Sequence, residues 1–259
     1  MFRIVFFDID NTLMSHTDYQ ISDKTIESLN KLKEKDIKIV ACTGRNEHEL
    51  KGLGIIGKID FDAYIFMAGQ LISVDNNIIF KNPFDKKLIE EILTLDNQYK
   101  LECLFYSENE LYSNSEIAME KYYEDNGHFI EFNRNVEEIK NKDCYEMSVF
   151  CGKTKAKRIN KRHFKMIDYL GNCYDMFPVN GGKGKGVQLV LEYFGIDKTD
   201  ALCFGDSMND FDMFEEVGFS VAMGNAGNEL KNVADYVTTH VDDNGVCNAL
   251  IDLGIIKRS

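Results

Sequence analysis

Positive charge is what this sequence is short of: 30 Lys and Arg stand against 43 Asp and Glu, a formal net charge of −13. A nucleic-acid binder usually carries a basic face, so the balance argues against that class. Long apolar runs are missing as well. The first one begins at Met1-Phe2-Arg3-Ile4 and stops at Asp8, too short for a signal-peptide core, and no other segment could span a membrane. Paired cysteines are also absent. Cys42, Cys103, Cys144, Cys151, Cys173, Cys203 and Cys247 are odd in number, and no two have the C-x-x-C spacing. A disulfide framework or zinc site is therefore not expected, and reduced, buried thiols in a cytoplasmic protein are. The histidines His16, His48, His128, His163 and His240 share no metal-ligand spacing and read as structural or surface residues. There is no internal repeat and no low-complexity linker.

What is present is ordinary globular composition, with 44% hydrophobic and 28% charged residues. The chain is long enough for one large domain or two modest ones. Ile4 to Phe7 is a continuous apolar run, which fits a strand buried on both faces of a parallel sheet. A helix is expected from about Thr25, a strand over Ile37 to Ala41, a helix over Glu47 to Leu53 and a strand over Ala63 to Met67. This alternation predicts a doubly wound α/β sheet. Leu71 to Val74 and Ile78 to Phe80 flank Asp75-Asn76-Asn77, a hairpin signal.

From about Pro83 the rhythm changes. Helices are expected at Asp85 to Thr94, Ile117 to Asn126 and Lys155 to Tyr169, with strands at Leu101 to Tyr106, Met147 to Phe150 and Cys173 to Met176. The mixture predicts an α+β domain over residues 83–181, inserted into a core made of 1–82 and 182–259. The α/β rhythm returns near Lys185, with a helix stopping at Gly195 and strands at Ala201 to Phe204, Phe219 to Val221 and Tyr236-Val237. Phe105, Tyr106, Tyr122 and Tyr123 of the insertion read as core, and the basic run Lys153 to Lys165 as a solvated helix face.

The polar positions of interest sit in loops, most of them directly after a predicted core strand. In an open parallel sheet the crevice at the strands' carboxyl ends is where ligands bind. The loop after the first strand carries Asp8 and Asp10, two carboxylates that repel each other without a cation. Such oxygen-rich sites suit Mg²⁺. Asp8 could attack phosphorus, and Asp10 could protonate the leaving oxygen and then deprotonate water. The same residues also fit a capping Asp and a turn Asp. After the second strand, Thr43 offers a hydroxyl and Gly44 permits close approach of an anion, although an ordinary N-cap reads the same way. Gly181 to Gly186 holds two lysines at a helix mouth, Lys183 and Lys185, either of which could neutralise a phosphate. These glycines also fit a flexible linker, and they are not a Walker A loop, because Val187 stands where a Lys is needed. The last loop places Asp206, Ser207, Met208, Asn209 and Asp210 after an apolar strand, which fits a metal shell or a helix N-cap.

Together, D-x-D-x-T (Asp8, Asp10, Thr12), T-G-R (Thr43 to Arg45) and G-D-x-x-N-D (Gly205 to Asp210) resemble the haloacid dehalogenase superfamily of phosphotransferases. The segments Ala222 to Ala226, Ala234 to Val237 and Asp243 to Val246 resemble its Cof-type subgroup, subclass IIB, which carries a large α/β cap between the second and third motifs. The resemblance implies a Rossmann-like core with an inserted cap. It implies hydrolysis of small phosphorylated metabolites, such as sugar or cofactor phosphates, with Asp8 as nucleophile and Asp10 as general acid and base. It assigns the motif lysine to Lys183, phosphate contacts to Thr43, Gly44, Lys183 and Asn209, and Mg²⁺ to Asp8, the Asp10 carbonyl and Asp206, with Asp210 behind them. A phosphosugar mutase on the same core and a non-catalytic sensor are the alternatives. A monomer is the default expectation. One departure is Met67-Ala68-Gly69, where the subgroup usually has Asn-Gly and this chain has Ala68.

Overall fold

The computed structural model describes residues 1–127, 130–159, 164–169 and 172–258. In chain order the first elements are β1 (Ile4–Asp8), α1 (Asp23–Lys33), β2 (Lys38–Cys42), α2 (Glu47–Gly52), β3 (Ala63–Phe66), β4 (Leu71–Val74) and β5 (Asn77–Lys81). There follow α3 (Lys86–Tyr99), β6 (Cys103–Ser107), β7 (Leu111–Tyr112), α4 (Glu116–Asn126), β8 (Phe132–Asn133), β9 (Cys144–Phe150), α5 (Lys153–Ala156), β10 (Phe164–Tyr169) and β11 (Cys173–Pro178). The chain ends with α6 (Lys183–Phe194), β12 (Ala201–Gly205), α7 (Phe211–Glu215), β13 (Phe219–Ala222), α8 (Asn228–Lys231), β14 (Tyr236–Val237) and α9 (Gly245–Asp252). The fold is α/β. Contacts divide it into two compact units, one of Met1–Gly44, Lys58–Phe80 and Gly182–Ser259, the other of Arg45–Gly57 and Lys81–Gly181.

The first unit holds an eight-stranded sheet in the order β14-β13-β12-β1-β2-β3-β4-β5. Pairing is parallel from β14 through β3, and β4 turns antiparallel onto β3. Period-two alternation explains why β1 is apolar throughout. Ile4 and Phe6 point into a core shared with Val187 and Val190 of α6 and Met213 of α7. Val5 and Phe7 are equally buried, and Phe7 stacks on Phe204 of β12 at 5.2 Å. A strand covered on both faces has no polar position to spare until it ends, so Asp8 marks its carboxyl end. Asp75 and Asn76 adopt φ of 48° and 62°, the left-handed pair that a two-residue hairpin turn between β4 and β5 requires. Gly195 ends α6 with φ of 61°, the stop expected there.

The second unit holds a six-stranded sheet, β10-β11-β9-β6-β7-β8, antiparallel except for β7 with β8. One face buries Cys103, Phe105, Met147, Val149, Tyr174 and Met176 against Ile89, Ile92 and Leu93 of α3. The opposite face carries Tyr106, Glu146, Ser148 and Asp175, with Ser148 donating to Asp175 at 2.7 Å. Tyr122 donates to Glu49 at 2.6 Å, and Asn46 caps α2 in a reciprocal capping box with Glu49. Tyr123 is half-buried and donates to the Ile130 carbonyl.

The helix expected over Lys155 to Tyr169 is not formed as such. The helix covers Lys153–Ala156, Phe164–Tyr169 is a strand, and 160–163 lie outside the described residues. Phe164 is buried and Met166 packs on the core while Ile167 is exposed, so period two wins once β11 offers a partner along the whole length. That pairing is not visible locally, and the lysine-rich lead-in reads helical. The two-residue strands β7 and β8 are too short to leave a pattern in the sequence. All seven cysteines are free; five are buried, and Cys173 and Cys247 are half-buried. Among the described residues, no helix is long and apolar enough to cross a membrane.

Candidate active site

Adjacent parallel strands β12, β1 and β2 end in register. Asp8 pairs with Cys42, so Thr43 begins the neighbouring loop one residue beyond. On the other side Phe7 pairs with Phe204, so Gly205 lies level with Asp8 and Asp206 follows one residue beyond. Three of the predicted loops thus emerge side by side for a topological reason. The N-terminus of α6 brings the fourth.

Lys183 is the hub. Its Nζ lies 2.6 Å from Asp8 Oδ1 and 2.6 Å from Asp210 Oδ1, and the side chain is fully buried. Lys185, two residues on, is exposed, so of the two lysines only Lys183 reaches the carboxylates. Asp210 completes its shell by accepting from the backbone N–H groups of Asp206 and Ser207 at 3.0 and 3.1 Å through Oδ2. Gly205 is required here: a Cβ would stand 2.7 Å from the Asp210 carboxyl atoms. At the seam behind α6, a Cβ on Gly69 would lie 2.0 Å from the Gly182 carbonyl oxygen, so the backbones meet only through glycine.

Asp8, Asp206 and Asp210 bring one carboxylate oxygen each within 4.8 Å of one another. One buried ammonium does not balance three carboxylates. Burial works against the Lys183 charge, yet Asp210 and Asp8 outweigh it and hold the ammonium above its ordinary range. Burial raises Asp8 well above the carboxylate range, with Asp210, Asp206 and Asp10 adding to the rise. Asp206 is pushed up to about 7 by burial and by Asp210. The cluster lacks positive charge, and its all-oxygen donor set fits a hard divalent cation. The Thr12 hydroxyl is buried without a hydrogen-bond partner among the described residues, a further unsatisfied oxygen in this loop.

The remaining predicted residues are placed as follows. The Asp10 carboxyl is half-buried and faces His16, whose Nε2 is 2.8 Å from Oδ1. Thr43 is buried, with its N–H donating to the Ile65 carbonyl and its carbonyl accepting from Ala68 at 2.9 Å. Ala68 sits at φ 49°, a left-handed position where Asn is better tolerated, but the tie to Thr43 runs through its backbone and needs no Asn side chain. Gly44 is exposed, and a Cβ there would meet no described residue within 4 Å. Asn209 is exposed and its Oδ1 accepts from the Ser207 hydroxyl at 2.7 Å. His16, read from the sequence as a bland residue, therefore touches a predicted acid–base group. Nothing in local spacing marks it, because the loop has to double back before residues 10 and 16 meet. His48 is half-buried and His240 caps the turn at Asp242; His128 and His163 lie outside the described residues.

A doubly wound sheet with a lysine-bridged carboxylate cluster at its carboxyl edge defines a hydrolase of the phosphoryl-transfer kind. The family model for haloacid dehalogenase-like hydrolases matches residues 5–250, and the chain belongs to that family, among its Cof-type phosphatases. YkrA of Bacillus subtilis, whose name assigns it to the phosphatases, is 28% identical over 265 residues, covering 98% of this chain and 99% of its own. A solved protein of Geobacillus kaustophilus matches with a TM-score of 0.89 at 28% identity, covering 99% of this chain and all of its own. A subclass IIB sugar phosphatase of the superfamily matches with a TM-score of 0.82 at 27% identity, covering 98% of this chain and 100% of its own.

Proposed function

We propose that this enzyme is a Mg²⁺-dependent phosphomonoesterase that hydrolyses small phosphorylated metabolites through an aspartyl-phosphate on Asp8. The observation that carries the reading is the buried Lys183 ammonium shared between Asp8 and Asp210, 2.6 Å from each. Asp8, the Asp10 carbonyl and Asp206 would hold the metal, with Asp210 behind them. The ion would supply charge that lets a carboxylate and a phosphate dianion approach each other.

The residues of the chain account for the rest. Thr43, the Gly44 backbone, Lys183 and Asn209 bind the phosphate. Lys183 engages Oδ1 of Asp8, which leaves Oδ2 to attack phosphorus. As the Asp8–phosphorus bond forms and the ester bond breaks, Asp10 delivers its proton to the leaving oxygen. Asp10 then takes a proton from water as that water attacks phosphorus, releasing phosphate and restoring both carboxyls. Residues 83–181, which carry none of the family motifs, would supply the selection among leaving groups. Sugar phosphates are the first class to test, since a subclass IIB relative is a sugar phosphatase, with cofactor phosphates next. The seven unpaired thiols support a cytoplasmic setting.

Phosphate release from a panel of phosphorylated metabolites, with Mg²⁺ and with EDTA, tests the reading on wild type and Asp8→Asn. Metal-dependent release lost in Asp8→Asn is the expected result. A wild type that binds Mg²⁺ yet releases phosphate from no compound would overturn it and favour a sensor or a mutase needing a bisphosphate activator.

A further inference from the structure

We propose that His16 is a positioning residue for Asp10: its imidazole holds the acid–base carboxyl in the one orientation that serves the leaving-group oxygen. The proposal rests on the phosphatase reading above, since it concerns the proton that Asp10 transfers.

The contact itself is Nε2 to Oδ1 at 2.8 Å, with the His16 and Asp10 side chains 34% and 27% exposed. A surface histidine can meet a carboxylate by accident, so the frame around the pair decides the matter. Two oxygens of one carboxylate, Asp242, hold the residues on either side of His16. Oδ1 accepts from the Ser15 hydroxyl and Oδ2 from the Thr17 hydroxyl. The Thr17 N–H closes back on the Ser15 hydroxyl at 3.0 Å. The loop is shut from below by Ser15 N–H to the Gln20 carbonyl and Tyr19 N–H to the Ser15 carbonyl, at 3.0 and 2.9 Å. Tyr19, turned to φ 56°, lays its ring against the imidazole at 5.4 Å and 29°. Backbone, neighbours and ring face of His16 are all fixed.

Asp10 is tied to the same support. Asn225 donates to the Asn11 carbonyl at 2.8 Å, and its own Oδ1 accepts from the Val241 N–H at 2.9 Å. The residue after Asp10 and the residue before Asp242 are thus joined through one amide. Carboxyl and imidazole are therefore held from one base, the 241–242 segment, and meet as two arms of a clamp. A general acid needs its carboxyl in one orientation, because small misplacement is costly when reacting groups have to be aligned. A net hydrogen bond of ordinary strength biases such an orientation by roughly ten-fold.

The test compares leaving groups. Full-length wild type, Asp10→Asn, His16→Phe and His16→Gln are assayed with Mg²⁺ on p-nitrophenyl phosphate, whose phenolate departs without protonation, and on the best primary-alkyl phosphate of the panel, whose alkoxide does not. His16→Phe keeps the stacking on Tyr19 and loses the hydrogen bond; His16→Gln keeps an N–H near the place of Nε2. His16→Phe should lose about ten-fold in kcat/KM on the alkyl phosphate and under about three-fold in kcat/KM on p-nitrophenyl phosphate, with His16→Gln recovering most of the loss, since kcat/KM covers the steps up to leaving-group departure and excludes the water step common to both substrates. Asp10→Asn should show the same bias more strongly. Equal losses on both substrates, no loss, or no recovery in His16→Gln overturns the proposal. A readout without turnover separates it from the phosphatase reading. In a long-range ¹H–¹⁵N spectrum the His16 Nε2 should carry the proton and shift in Asp10→Asn. An unshifted ring overturns the positioning role whatever the activity, whereas an inactive wild type with the shift present overturns the phosphatase reading and its acid–base step with it.

Discussion

Lys183 and Asp8 are 175 residues apart in sequence and 2.6 Å apart in the fold, buried together. Removing the ammonium leaves Asp8 and Asp210 facing each other with no cation. Breaking one side of a buried charge pair costs about 3–5 kcal/mol. Lys183→Ala should lower the thermal midpoint sharply in metal-free protein and reduce kcat by at least about a hundred-fold, as loss of a preorganised charge does. Lys185→Ala, on the exposed neighbour, should stay within about 0.5 kcal/mol of wild type. Calorimetry and phosphate release on the two variants decide whether the two lysines differ in this way.

Stability of the metal-free protein should fall as pH rises. Asp206, raised to about 7 by burial and Asp210, binds its proton more tightly folded than unfolded. Its protonated form favours the fold below the ordinary carboxylate range, and that advantage is lost as pH climbs from about 4 to 7. One pKa unit corresponds to about 1.4 kcal/mol, so the loss is up to about 4 kcal/mol. Asp8 shifts in the same direction. Mg²⁺ should raise the melting temperature more at pH 8 than at pH 5, because it binds the ionised carboxylates. Equal stabilisation at both values would count against a carboxylate metal site.

Glu146 offers the same physics without the metal. It is buried in the second unit, its Oε2 has no hydrogen-bond partner among the described residues, and burial, Asp175 and Glu49 hold its proton on well above the usual carboxylate range. The folded state therefore loses stability as pH rises above the unfolded value. Glu146→Gln removes the titration at nearly constant shape. Its melting temperature should exceed that of wild type at pH 8 and approach it at pH 5, read by calorimetry with EDTA present.

Two glycines should respond in opposite ways. Gly69→Ala drives a methyl into the Gly182 carbonyl from φ 88°, and both obstacles are backbone, so a loss of about 3 kcal/mol or more is expected. Gly44→Ala meets no described residue within 4 Å and should melt like wild type. If phosphate approaches that backbone, Gly44→Ala will still raise KM for phosphorylated substrates. Melting curves beside steady-state kinetics on the two variants check both statements.

Much of this was legible in the sequence because parallel strands announce themselves. A strand covered on both faces has to be apolar from end to end, so the residue where that run stops is the one at the carboxyl edge. That ground pointed to Asp8, Thr43 and Asp206 while leaving a capping reading open for each, and the resemblance to a family implied their roles. The α6 stop at Gly195 and the Asp75-Asn76 turn are local backbone requirements, and local sequence met them.

Long-range partners decided the rest. Whether Phe164–Tyr169 is helix or strand depends on β11 lying alongside it. Local residues leave Lys183 and Lys185 as equals, and only the packing of α6 buries the one and exposes the other. His16 gained its place beside Asp10 from Asp242, a residue more than two hundred positions away that holds both of its neighbours. The sequence by itself determined which residues could do chemistry, because strand ends and motifs are local properties. The tertiary structure alone decided which of them share one buried space, because hydrogen bonds and charge interactions act over a few ångströms whatever the separation along the chain.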